Sequence, residues 1–146
     1  PVSKEVFDKI AIRETTGGIL AVAEQKLHPL SNIRLSKNPL LLVLEAVEKP
    51  GNLGAILRTA DAAGIDGVII CDPQTDFYNP NVIRSSVGCV FTTQVASATS
   101  EETIDWLKQH QVPIYCTYLQ ASKPYYEIDF SKPAAIIMGT ESTGLS

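Results

Sequence analysis

From position 39 onward the chain alternates short apolar runs with segments of helical period. Leu40 to Val47, Gly67 to Cys71, Val90 to Val95, Pro113 to Tyr118 and Ala134 to Met138 are mostly rich in Val, Ile or Leu, and each reads as a strand. Between the first two, Leu53, Ile56, Leu57 and Ala60 fall at i, i+3, i+4 and i+7, the apolar stripe of a helix that ends near Gly64. Asn79 followed by Pro80 is an N-cap with proline at the first helical position, opening a short helix to about Val87 that Gly88 closes. Thr99 with Glu102 three residues on is a capping box, and Ile104 and Leu107 continue an exposed crossover helix to about Gln111, ahead of Pro113. Repeated strand–helix units of this kind predict an α/β fold with a mostly parallel sheet flanked by helices.

Residues 1–38 follow a different pattern. Val6, Phe7 and Ile10 predict a helical turn, Thr16-Gly17-Gly18 breaks it, and Ile19 to Ala23 is an apolar stretch, so the region reads as a linker plus a strand. With 146 residues, no internal repeat and no low-complexity segment, the expectation is one α/β domain with an N-terminal appendage. No stretch approaches the roughly 18 consecutive apolar residues of a membrane-spanning helix. Nor does the N-terminus carry a basic segment followed by an apolar core, so no signal peptide and no membrane are expected. Cys71, Cys89 and Cys116 lie far apart without Cys-x-x-Cys spacing, which signals neither a disulfide framework nor a metal site and points to a reducing cytoplasm. A start at Pro1 and an end at Gly144-Leu145-Ser146 suggest a processed or incomplete chain.

The net charge of −4 argues against a protein that coats nucleic acid nonspecifically through many Lys and Arg. That average divides into +2 over residues 1–40 and −6 over residues 41–146, so any contact with RNA must be local.

Two segments could carry chemistry. The first, Pro50-Gly51-Asn52-Leu53-Gly54 through Ala60, joins the first strand to its helix, where unpaired N–H groups and the helix dipole favour anions. It lacks the third glycine of a dinucleotide fingerprint and the Gly-Lys-Ser/Thr ending of a P-loop. Spacing alone leaves Arg58 as either a solvated surface cation or a site residue, and Asn52 as either an N-cap or a site residue. The second segment, Ile136 to Leu145, is a strand running into a Gly- and hydroxyl-rich loop with Glu141. Ligands of open parallel sheets bind outside the carboxyl ends of strands, so both segments belong to one rim.

Asn52-x-Gly54-x-x-x-Arg58-Thr59-Ala60 followed by Gly139-x-Glu141-x-x-Gly144-Leu145-Ser146 resembles the first two signature motifs of the SpoU/TrmH family of RNA ribose 2′-O-methyltransferases. The likeness extends through Arg84-x-Ser86-x-Gly88 and through Thr117 to Tyr126, covering roughly residues 40–146. The resemblance implies an S-adenosylmethionine-dependent enzyme acting on tRNA or rRNA as a homodimer. It also implies a C-terminal part that forms a trefoil knot, against the usual avoidance of knots. By motif position Arg58 and Asn52 match the catalytic Arg and the Asn beside it, and Glu141 matches the acid that supports the active-site loop. Thr117, Leu119, Met138 and Gly139 match the loops that hold the methyl donor through backbone groups, and Arg84 and Ser86 are the positions offered for RNA contact.

The same resemblance implies a third, Asn- and Ser-containing motif after the second, and the chain stops at Ser146 without it. The expectation is therefore a C-terminally truncated SpoU-type domain over 39–146 with an incomplete knot, preceded over 1–38 by a linker or the end of an auxiliary RNA-binding region. A noncatalytic RNA-binding relative of the same fold is the alternative, and a flavodoxin-like nucleotide-binding module explains the strand–helix pattern without both motifs. Tyr125 and Tyr126 are expected as a half-buried pair rather than a base-stacking platform.

Overall fold

The structure is a computed structural model that describes residues 1–12, 17–120 and 122–146. Five parallel strands, β1 (Leu40–Glu45), β2 (Gly67–Cys71), β3 (Val95–Ala98), β4 (Ile114–Cys116) and β5 (Ala134–Met138), form one sheet in the order β3-β2-β1-β5-β4. β1 lies in the middle, paired with β2 from Leu41↔Gly67 to Glu45↔Cys71 and with β5 from Leu40↔Ala134 to Leu44↔Met138. The expected α/β class with a parallel sheet and flanking helices is the observed one.

The period of two along the strands divides the apolar side chains between two cores. Leu41, Val43, Ile69 and Ala96 face Leu107 and Val112 on one side. Leu44, Val68, Ile70 and Val95 face Leu53, Leu57, Ala60 and Val82 on the other. The second core is closed by α2 (Pro50–Ala63) and α3 (Pro80–Ser85), and the first by α4 (Ser100–Gln109). The predicted stripe of α2 holds, with Leu53, Leu57 and Ala60 buried, Ile56 packed against them and the helix capped at Gly64. Asn79 caps α3 through its side chain, and Thr99 with Glu102 forms the capping box of α4.

Several expectations are corrected. The run from Val90 to Val95 is not a strand: Cys89–Phe91 is a 3₁₀ turn, and β3 begins only at Val95. Val90 was apolar because it fills the core beneath α2 and α3, a demand that a turn meets as well as a strand. α3 stops at Ser85 rather than Val87, because Val87 takes the left-handed conformation with φ 54° and breaks the helical path. α4 is not simply exposed, since Thr103 and Leu107 are buried against the sheet. β1 ends at Glu45 and β4 is trimmed to three residues.

In the N-terminal region α1 (Lys4–Ile10) forms as predicted, capped by Ser3, yet buries no residue. Ile19 to Ala23 forms no strand and stays exposed; the break expected at Thr16 falls outside the described residues. Residues 28–35 instead lie along β3. The Ser97 N–H donates to the His28 carbonyl at 2.7 Å, and the Gln94 side chain both accepts from the Arg34 N–H and donates to the Arg34 carbonyl.

α2 and α3 approach closely because residue 54 has no side chain. A Cβ there would lie 1.9 Å from Ser85 Oγ and 2.8 Å from both the Ser86 nitrogen and the Val82 carbonyl oxygen. Two of those three neighbours are backbone and cannot swing aside. Gly54→Ala is expected to destabilise the fold by about 1–3 kcal/mol, as overpacking does, read as a lower urea midpoint at unchanged slope.

A candidate active-site cleft between β1 and β5

β1 continues to β2 and β3 on one side, while β5 sits between β1 and β4 on the other, so the order of connections reverses between β1 and β5. Open parallel sheets bind ligands outside the carboxyl ends of the strands at such a point. A cleft of about 450 Å³ lies there, between the β1–α2 connection and the loop that follows β5. Leu44, Val47, Ile56 and Met138 supply its apolar lining, and Glu45, Lys49, Asn52 and Glu141 its charged and polar groups.

The loop after β5 is folded back on itself. Thr140 and Gly144 exchange backbone hydrogen bonds of 2.8 and 3.1 Å, and the Thr140 and Thr143 hydroxyls are 2.7 Å apart. Gly139 permits this, because a Cβ on it would come within 2.1 Å of the Gly144 carbonyl carbon. The fold presents Glu141 to the opposite wall, where Lys49 Nζ donates to Glu141 Oε2 at 2.5 Å. Lys49 occupies the N-cap of α2 without a side-chain capping bond, which places Asn52 inside the first helical turn. Asn52 is therefore not a cap, and it lines the cleft.

The hydrogen bond and charge of Lys49 hold the Glu141 carboxyl below its ordinary range, with a smaller contribution from the Asn52 amide. The same partner raises Lys49, first by the hydrogen bond and then by its charge, with Glu48 adding to it. Glu141 is thus a firmly ionised, weakened base.

The expected site residues are not all brought together. Asn52, Glu141, Met138 and Gly139 line the cleft. Thr117 lies beside it, its N–H and hydroxyl both donating to the Ile137 carbonyl and extending the β4–β5 pairing by one residue. Leu119 projects outside the cleft, 99% exposed. Arg58, six residues beyond Asn52 on α2 and so about 9 Å further along the axis, is exposed, outside the cleft lining, and makes no ion pair among the described residues. Arg84 is exposed at the end of α3. Ser86 is fully buried, its hydroxyl donating to the Ile83 carbonyl and accepting from the Val90 N–H, so it has no surface to offer RNA. Tyr125 and Tyr126 are 77% and 74% exposed, edge to face, rather than half-buried.

Sequence reasoning missed Lys49 and Glu45. Glu45 is the last residue of β1 and Lys49 immediately precedes the segment placed at the rim, and that proximity was the available signal. No helix among the described residues is long and apolar enough to cross a membrane.

Residues 39–146 match the SpoU rRNA Methylase family. The chain is 36% identical over 144 residues to the 23S rRNA (guanosine(2553)-2′-O)-methyltransferase RlmP of Bacillus subtilis strain 168, an alignment covering 99% of this chain and 56% of the relative. It is 35% identical over 108 residues to the 23S rRNA (guanosine-2′-O-)-methyltransferase RlmB of Pseudomonas aeruginosa, covering 73% and 44% respectively. The chain thus spans about half the length of these relatives. Among solved structures, an RNA 2′-O ribose methyltransferase superposes with a TM-score of 0.81 at 40% identity, over 99% of this chain and 55% of the other. An AdoMet-bound rRNA methyltransferase from Sinorhizobium meliloti gives 0.79 at 39% identity, over 84% and 48%. By the family match over residues 39–146, the identity to these relatives and the sheet topology, the chain belongs to the SpoU rRNA Methylase family.

Proposed function

We propose that residues 39–146 are the methyltransferase domain of an S-adenosylmethionine-dependent RNA ribose 2′-O-methyltransferase acting on tRNA or rRNA. The observation that carries this reading is the meeting of Asn52 and Glu141, from motifs far apart in the chain, in the cleft at the switch point. Residues 1–38 serve as a linker or the end of an RNA-binding region, and the protein works as a cytoplasmic homodimer without a metal.

The cleft suits the methyl donor. Its volume lies within the range of small-molecule pockets, about 300–1,000 Å³, its walls are apolar, and the backbone of Met138 and Gly139 borders it. When bound, S-adenosylmethionine supplies a methyl group activated by a positively charged sulfur. Met138 and Gly139 line that donor's site, with Thr117 and Leu119 on the neighbouring strand end and loop.

A ribose hydroxyl is a poor nucleophile at neutral pH and needs its proton withdrawn and its oxygen aligned. Glu141 is ill suited as the base because Lys49 stabilises its carboxylate; its task is to hold Asn52 and the loop. Arg58 is a permanent cation under ordinary conditions, so its role is to hold the phosphate beside the target ribose and to stabilise the developing alkoxide. Arg84 contributes a further phosphate contact from the end of α3, and the buried Ser86 keeps that helix end in place.

The test uses labelled S-adenosylmethionine and bulk RNA from cells lacking the gene, followed by nucleoside analysis. Wild-type protein is expected to form a 2′-O-methylnucleoside. Arg58→Ala is expected to lose about 10²- to 10³-fold in transfer, as removal of one stabilising donor does, with a stability change within about 0.5 kcal/mol for an exposed side chain. Absence of transfer by the wild type to any RNA would favour the noncatalytic RNA-binding reading.

The Lys49–Glu141 pair has a defined pH window. Glu141 has a lowered folded pKa, so its contribution is present above the unfolded value and is lost as pH falls through the folded one. Lys49 has a raised folded pKa, so its contribution is complete below the unfolded value and is lost as pH rises through the folded one. The pair therefore persists across neutral pH. Carboxyl ¹³C titration should place the Glu141 midpoint below the ordinary Glu range and return it to that range in Lys49→Met.

A further inference from the structure

Glu141 reaches the cleft on a loop, and two side chains outside the recognised motifs fasten that loop to the opposite wall. Near its start, Lys49 donates to Glu141 Oε2 at 2.5 Å. At its far end, Glu45, the last residue of β1, accepts from the Ser146 N–H at 3.0 Å and from the Ser146 hydroxyl. Between these ties the Thr140–Gly144 bridge closes the loop on itself. Asn52 follows Lys49 by three residues in the first turns of α2, so the same fastening sets the separation of Asn52 and Glu141.

Resting on the methyltransferase reading, we propose that Lys49 and Glu45 are positioning residues, which act on the reaction by holding the Glu141 loop against the β1–α2 connection. The Lys49–Glu141 pair is well exposed, at 63% and 71% of the two side chains, and exposed ion pairs add little to stability. Alignment of reacting groups is far more sensitive, since a displacement of about 1 Å can slow a reaction roughly 100-fold. The pair is therefore suited to a geometric task that the fold itself does not need. Direct capture of an RNA phosphate by Lys49 is the competing use of that ammonium, and it would have to displace Glu141.

The test compares Lys49→Met, Lys49→Arg and Glu45→Gln in the whole protein, by steady-state kinetics and by amide hydrogen exchange of residues 139–145. Lys49→Met is expected to lower kcat about 10- to 100-fold at nearly unchanged KM for RNA, to speed exchange in the loop, and to leave the denaturation midpoint in place. Lys49→Arg, which keeps charge and reach, should regain most of the rate and the protection, while Glu45→Gln should reproduce both losses. A raised KM for RNA with a shallower salt dependence at unchanged kcat would overturn the proposal in favour of a phosphate contact. Unchanged exchange in both Lys49→Met and Glu45→Gln would overturn it outright. If the wild type transfers no methyl group, the functional reading fails, and the exchange data alone decide whether these two side chains hold the loop.

Discussion

The sheet, its two cores and the cleft are registered against β1. It is hydrogen-bonded to a parallel neighbour on both edges and buried on both faces, with Leu41, Val43 and Leu44 almost wholly removed from solvent. A strand in that position has no freedom to slip, because a shift of one residue would exchange the two apolar faces that α2 and α4 require. Its carboxyl end is thereby fixed in space. The cleft opens where β1 stops, and β5 on one side and α2 on the other inherit their positions from that single end.

The contrast between the rigid sheet and the polar ties around the cleft is functional economy. The strands are secured by burial, which is non-directional and strong in sum. The loop carrying Glu141 is secured by an ion pair, a carboxylate that grips Ser146 and a two-residue bridge, all near solvent. Such regions open at lower free energy than core strands. The cleft thus combines a rim held by a few polar ties with a foundation held by burial.

What the sequence disclosed follows the same division. α2 was legible because Leu53, Leu57 and Ala60 obey a helical period imposed by burial on one face, and β1, β2 and β5 because both their faces are buried. Val90 misled because burial alone does not specify a strand, and Val87 because a left-handed residue without glycine leaves no compositional mark. Asn52 and Glu141 were singled out by their likeness to family motifs, and the structure brings both to one cleft. Lys49 and Glu45 were not singled out, since only the topology brings their partners Glu141 and Ser146 near. Ser86 shows the reverse error: its hydroxyl belongs to the helix end and not to a ligand.

The segment that lies along β3 has a consequence for assembly. With the His28 carbonyl accepting from Ser97 and Gln94 gripping the backbone of Arg34, that margin of the sheet no longer presents a free row of donors and acceptors. The opposite margin is β4, three residues long and preceded by Pro113, a strand too short to template another. Neither margin invites sheet-to-sheet joining. On both sides the sheet thus ends without a template for open-ended β polymerisation.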